Sequence, residues 1–334
     1  MPAGVQAPIV NRTPLSRVVV LTGETQPALP TLDGIADRAR ITVVATLDEL
    51  RLALNGADTL FLWDFRTPHL RDAWSAATRL EWIHAASAGV DALLFEELAS
   101  SDVMVTNSSG VFDEPIAEWV LAAMLALAKD LPETLELQRQ GVWQHREPER
   151  LRGSTAVVVG VGGIGRATAR LLRAVGVDVL CVARTARTDP EFGFVVGRVD
   201  LPDALSQADW VVLAVPLTPE TEGMIDAPML SRMRPSARLI NVARGRLVDE
   251  AALINALRSG GLKGAALDVF TSEPLGAGSP LWAMANVIVS PHMSGDVVGW
   301  KDEVAALFME NFERRLRGEP LLNLVDKQTG QLQR

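Results

Sequence analysis

The chain has 334 residues, enough for two domains, and 48% of them are hydrophobic, enough for sizeable cores. A net charge of −9 with scattered basic residues argues against a nucleic-acid partner, and a single cysteine, Cys181, excludes a disulfide framework or a cysteine metal site within one chain. The most apolar helix-like stretch, 119–127, is too short to cross a membrane, so no membrane partner is expected.

Residues 1–16 have no continuous apolar segment and read as a flexible extension of a cytoplasmic protein. From 17 to 107, β-branched runs at 18–21, 41–45, 59–63, 82–84 and 103–106 alternate with helix-like segments at 48–54 and 67–77, the pattern of a parallel α/β domain. A long buried helix is expected from Asp113 to 127, with Asp113 as N-cap and Glu114 and Pro115 suited to the first turn. Residues 131–152 are polar and read as an excursion over the surface. A second α/β series follows, with strands expected at 156–159, 177–182, 210–215, 238–242, 264–269 and 287–290 and helices at 164–175, 201–207, 227–233, 250–259 and 304–317.

The first strand of that second series runs into Gly160-Val161-Gly162-Gly163-Ile164-Gly165, and a helix follows. Gly160 permits a tight turn, Gly162 lets the backbone approach a pyrophosphate, and Gly165 lets helix and strand pack closely. The N–H groups at the start of the Ile164 helix favour an anion. Strand context on one side and helix on the other is what separates a dinucleotide site from a chance glycine run. The end of the next strand selects the dinucleotide. It reads Cys181-Val182-Ala183-Arg184-Thr185-Ala186-Arg187, without the carboxylate that would take the ribose 2′-OH of NAD. Arg184, Thr185 and Arg187 suit a 2′-phosphate instead, so NADP is the expected cofactor, with NAD left open.

Three later strands end beside reactive groups: Arg244 after 239–243, Glu273 after 265–269 and His292 after 287–290. In an open parallel sheet the segments just past the strand ends line one crevice. Reduction of a 2-keto acid needs a proton donor near neutral pH, which is histidine chemistry, supported by an adjacent carboxylate. A planar guanidinium fits a carboxylate beside a carbonyl. His84 reads as a core histidine, His69 and His145 as surface groups, and no histidine pair has metal-ligand spacing, so no metal is expected. Trp63 and Phe65 are open between pocket wall and apolar cap; Trp143 reads as packing in an arm, and Trp300 is open.

These segments, together with Val215-Pro216-Leu217-Thr218, Thr221, Asn241–Glu250, Ser290–Gly295, Ser87–Asp91 and Val105-Thr106-Asn107, make the chain similar to the D-isomer-specific 2-hydroxyacid dehydrogenases from about Thr59 onward. The resemblance implies two doubly wound parallel-sheet α/β domains. A Rossmann cofactor domain (111–295) is inserted into a split flavodoxin-like substrate domain (17–110 and 296–334). It implies Arg244, Glu273 and His292 as the catalytic set, with Arg244 and His292 also touching substrate. Backbone amides at Ala88, Gly89 and Val90 would hold the substrate carboxylate. Gly160, Gly162, Gly163, Ile164, Gly165, Arg184, Thr185, Arg187, Pro216, Thr221 and Ala243 would bind the cofactor. Asp268 would take the nicotinamide carboxamide, and Thr106 or Asn107 would lie near the cofactor. The family's strand-end Asp falls at Ala183. A homodimer through the cofactor domains is implied, with 131–152 as its arm. The implied activity is reduction of a 2-keto acid, glyoxylate- or hydroxypyruvate-like or larger, to the D-2-hydroxy acid. The alternative is a dinucleotide-sensing, corepressor-like binding protein of the same fold. Retention of all three reactive groups favours the enzyme, and Glu273 stands where formate-oxidising members carry Gln.

Overall fold

The computed structural model describes residues 15–23, 29, 31–64 and 68–333. Most of the expected N-terminal extension, and Phe65 and Arg66, lie outside the described residues. The chain divides into two compact units: Met1–Ser108 with Lys301–Gln328 and Leu332–Arg334, and Ser109–Trp300 with Thr329–Gln331.

The first unit is built on five parallel strands, β1 (Ser16–Leu21), β2 (Ala39–Val44), β3 (Thr59–Leu62), β4 (Trp82–Ala85) and β5 (Met104–Asn107), in the order β2-β1-β3-β4-β5. Strand order reverses beside β1, the flavodoxin-like doubly wound pattern. Strands β3 and β4 are buried throughout, as parallel strands covered on both faces require. Helix α1 (Leu47–Leu54) begins with a capping box in which the Thr46 side chain and Glu49 satisfy each other's backbone N–H groups. Two shorter helices follow, α2 (His69–Ala73) and α3 (Glu96–Ala99). The sequence-predicted helix over 67–77 resolves into α2 and a 3-10 turn, Trp74–Ala76. The helix Trp300–Leu316 brings Phe308 onto the sheet, stacked on Phe61 with centroids 4.3 Å apart and on Trp82 at 5.2 Å. Trp63 is 2% exposed with its ring edge-on to Phe61, so it belongs to this core rather than to a pocket wall.

The second unit opens with α4 (Asp113–Ala128) and α5 (Leu131–Gln140). Here the structure corrects two sequence expectations. Phe112, not Asp113, is the N-cap of α4, and Asp113 is the first helical residue. The excursion at 131–152 is a helix in its first half, with Pro132 in the first turn, where a missing N–H costs nothing, and Gly141 in the left-handed conformation at its end. Residues 142–151 are irregular.

The sheet of this unit has eight strands in the order β13-β12-β11-β10-β6-β7-β9-β8. They are β6 (Thr155–Val159), β7 (Asp178–Ala183), β8 (Arg187–Asp189), β9 (Gly193–Gly197), β10 (Trp210–Leu213), β11 (Arg238–Asn241), β12 (Gly264–Leu267) and β13 (Val287–Val289). All pair in parallel except β8, which runs antiparallel to β9. The β8–β9 hairpin was not anticipated from sequence. Four helices complete the winding: α6 (Gly163–Ala174), α7 (Leu201–Gln207), α8 (Ala227–Arg232) and α9 (Glu250–Ser259). The apolar sides of β6, β10, β11 and β12 close over Leu205, Leu230, Leu253 and Leu257, a core that fixes the strand ends from which the site is built.

Candidate active site

Strand β6 leads into Gly160, whose φ of 115° only glycine adopts at low cost. A Cβ there would lie 2.2 Å from the Ala214 carbonyl oxygen, and one at Gly165 would lie 2.0 Å from the Gly160 oxygen. Both glycines are therefore set by close backbone approach. Gly162, the N-cap of α6, is different: a Cβ there would meet nothing within 4 Å. Open space at the N-terminus of a helix led by Gly163 and Ile164 is the cradle a pyrophosphate needs, so these residues fit a dinucleotide. At the end of β7, Ala183 is half-buried while Arg184 and Thr185 are exposed, and Arg187 begins β8. Thr221 closes the loop after β10: its hydroxyl donates to the Pro216 carbonyl at 2.7 Å and accepts from the Thr218 N–H at 2.8 Å. Glu220 in that loop has its carboxyl held below the usual range, chiefly by the Thr218 hydroxyl, with Arg198 and Arg184 adding smaller attractions.

The loop after β11 carries Arg244. Asn241 brackets it, accepting from the Ala243 N–H at 3.1 Å and donating to the Arg244 carbonyl at 2.9 Å. The Arg244 guanidinium donates to the Ala243 carbonyl at 2.7 Å. A Cβ at Gly245 would fall 1.9 Å from the Phe270 carbonyl carbon, so only glycine lets this loop lie against the one after β12. In that second loop Glu273 Oε1 accepts from the Phe270 N–H at 3.0 Å, which turns Oε2 toward His292 Nδ1 at 2.7 Å. Both side chains remain about a quarter open, His292 at 23% and Glu273 at 24%.

His292 sits at φ 56°, a left-handed conformation that costs a non-glycine residue on the order of 1–3 kcal/mol. Asp268 holds it there. Its Oδ1 accepts from the Ser290 hydroxyl at 2.6 Å and the Met293 N–H at 2.9 Å, and its Oδ2 accepts from the Ser294 N–H at 3.0 Å. The carboxylate is 1% exposed and grips the loop on both sides of the histidine. Sequence reasoning assigned Asp268 to the cofactor and missed this bracket, as it missed Asn241 and Gly245. Their signal was position beside a reactive residue. Trp300 faces Phe112, ring centroids 5.9 Å apart.

In the first unit, Ala88 O accepts from Asn107 Nδ2 at 2.6 Å and Gly89 O accepts from the Ser87 hydroxyl at 2.7 Å. A trans peptide points its N–H opposite its C=O. The Gly89 and Val90 amides are thus presented on the other side of the loop. Thr106, which with Asn107 is one of two residues expected near the cofactor, is fully buried, accepting from Trp82 Nε1 at 2.9 Å and bonded to His84 Nδ1 at 2.7 Å. Burial pushes the His84 imidazole down to about 3, so this core histidine is neutral. Among the described residues no group of three or more His, Cys, Asp or Glu could hold a metal ion, and no helix is long and apolar enough to cross a membrane.

A carboxylate–imidazole pair, an arginine on the adjoining loop and a glycine cradle thus lie on strand ends of one doubly wound sheet. Residues 121–294 match the model of the D-isomer specific 2-hydroxyacid dehydrogenase NAD binding domain. The chain belongs to the D-isomer specific 2-hydroxyacid dehydrogenase family. It is 34% identical to a glyoxylate reductase of Thermococcus kodakarensis, over 77% of this chain and 80% of that protein. It is 32% identical to the human glyoxylate reductase/hydroxypyruvate reductase, over 82% of this chain and 85% of that one. The crystal structure of a D-isomer specific 2-hydroxyacid dehydrogenase from Xanthobacter autotrophicus, in complex with NADPH and MES, superposes with a TM-score of 0.79 at 33% identity, covering 94% of this chain and 99% of that one. The two-domain α/β architecture of this dehydrogenase family is the one described above, as the sequence led us to expect.

Proposed function

We propose that this dehydrogenase reduces a small 2-keto acid to the D-2-hydroxy acid with NADPH in preference to NADH. The observation that carries the reading is the 2.7 Å contact between His292 Nδ1 and Glu273 Oε2. A carboxylate on Nδ1 fixes the orientation of the ring and leaves Nε2 as the nitrogen that delivers a proton. A bound reduced nicotinamide would supply the hydride. Arg244 pairs with the substrate carboxylate and polarises the carbonyl oxygen, on which negative charge grows during transfer. The amides of Ala88, Gly89 and Val90 are assigned to the substrate carboxylate.

Gly160, Gly162, Gly163, Ile164 and Gly165 are assigned to the pyrophosphate; Pro216, Thr221, Ala243 and Asp268 are assigned to the rest of the cofactor. The NADPH preference is supported by Ala183 in place of a carboxylate and by Arg184, Thr185 and Arg187 beside it. The NADPH complex of the Xanthobacter relative points the same way. Residues 17–110 and 296–334 are assigned as substrate domain and 111–295 as cofactor domain. Relatives named as glyoxylate and hydroxypyruvate reductases favour short, polar 2-keto acids. The test is a steady-state panel of glyoxylate, hydroxypyruvate, pyruvate and larger 2-keto acids with each cofactor. Turnover confined to NADH, or none with any 2-keto acid, contradicts the reading.

A further inference from the structure

The β8–β9 hairpin, directly after the loop assigned to the 2′-phosphate, is tied to α6 by charge. Arg166, Arg170 and Arg173 lie on one face of α6 and turn toward it. Arg166 grips both carboxylate oxygens of Asp189, one of them at 3.3 Å, and reaches Glu191 at 3.1 Å. Arg170 holds both oxygens of Glu191. Arg173 donates to the carbonyls of Glu191 and Phe192, each at 3.2 Å. Two guanidinium groups lie over the Phe192 ring, Arg166 at 5.2 Å and Arg173 at 4.9 Å from its centre. Asp189 is the centre of this cluster. It is 4% exposed and also accepts from the N–H groups of Glu191 at 3.1 Å and Phe192 at 3.3 Å. The Arg166 guanidinium beside it holds its carboxyl below the ordinary range.

The anchored hairpin is what the loop hangs from. On one side β9 pairs with β7, Ala183 opposite Gly197; on the other it pairs with β8, Arg187 opposite Val195 and Asp189 opposite Gly193. Residues 184–186 are therefore strung between two strands that share one partner. A Cβ at Gly197 would lie 3.1 Å from the Ala186 nitrogen, so the loop is packed against the hairpin directly. Alternate residues of a strand share a face, which puts Arg187 on the same side of β8 as the anchored Asp189. Two strands this short do not hold a position by themselves.

We propose that Asp189 is a positioning residue for cofactor selection: through Arg166, and with Glu191, it fixes the hairpin that sets Arg184, Thr185 and Arg187 where a 2′-phosphate is bound. This inference rests on the NADPH reading above. Guanidinium groups already in place bind a phosphate without the cost of ordering them at the moment of binding. A loosened hairpin loses that advantage for NADPH. NADH has no 2′-phosphate and gains nothing from it.

Calorimetric titration of NADPH, NADH and adenosine 2′,5′-bisphosphate into the full chain and into Asp189→Asn and Glu191→Gln tests the idea. In Asp189→Asn the Kd for NADPH and for the bisphosphate is expected to rise at least ~10-fold, the size of effect that breaking a buried charge network produces, while the Kd for NADH stays within about two-fold. Glu191→Gln, nearer the hairpin's exposed end, is expected to shift the same two ligands less, and it carries the test if Asp189→Asn does not fold. Equal weakening of NADPH and NADH makes the cluster merely structural and overturns the proposal. Tighter binding of NADH than NADPH by the unaltered chain overturns the cofactor reading and this inference with it. An NADPH preference that neither substitution changes overturns this inference alone.

Discussion

Arg244 is asked to serve both binding and catalysis, and the two roles separate in kinetics. If its guanidinium strengthens its hold on the carbonyl oxygen as hydride arrives, Arg244→Ala lowers kcat as well as raising KM. A kcat loss of ~10²-fold or more is expected, the range for removing one preorganised donor to a developing oxyanion. Arg244→Lys keeps the charge but not the planar fork and should recover only part of the loss. A rise in KM alone, measured with one good 2-keto acid, makes Arg244 a ground-state anchor. The positions of Arg244, Glu273 and His292 past strand ends were legible in the sequence because each follows an apolar run. Their support was not. Asp268 reads as a strand-end carboxylate, and nothing local shows that it accepts from donors at 290, 293 and 294. Nor does the sequence show that His292 needs that bracket to hold φ 56°.

At the scale of elements, most strands and helices were readable from runs of Val, Ile and Leu in parallel-sheet strands buried on both faces. The β8–β9 hairpin was not. Its strands are short, its turn is Pro190-Glu191-Phe192, and the buried Asp189 is paired by Arg166, 23 residues earlier on another element. In the first unit, β4 carries His84 into the core, where it is fully buried between Thr106 and Ser108. Its folded value of about 3 lies below the ordinary 6.5, so between those pH values the unfolded chain binds a proton that the folded chain refuses. Stability from this group is present above pH 6.5 and is lost as pH falls below it, with a slope of at most ~1.4 kcal/mol per pH unit. Thermal unfolding followed from pH 7 to 5 should show a falling Tm, and His84→Gln should flatten that fall. A variant as pH-sensitive as the unaltered chain removes His84 as the cause.

For the whole molecule, α5 and the segment after it expose Leu131, Leu135, Val142 and a fully exposed Trp143. That segment is held in place by Glu149, which pairs with Arg238 and Lys263. A clamped arm bearing exposed apolar groups suits a second copy of this chain, and we propose a homodimer through it. Sedimentation equilibrium should give a dimer, and Leu135→Glu with Trp143→Ser should shift it toward monomer. A monomeric unaltered chain at micromolar concentration contradicts this. Single-turnover stopped flow tests whether the strand ends of one sheet assemble a keto-acid reductase with His292 as proton donor. NADPH oxidation would be followed on mixing the NADPH-loaded protein with glyoxylate or hydroxypyruvate, for the unaltered chain and for His292→Ala. Rapid oxidation by the unaltered chain is expected. Oxidation by His292→Ala should be at least ~10²-fold slower, with NADPH affinity retained. Oxidation by His292→Ala at near the unaltered rate would contradict His292 as that donor.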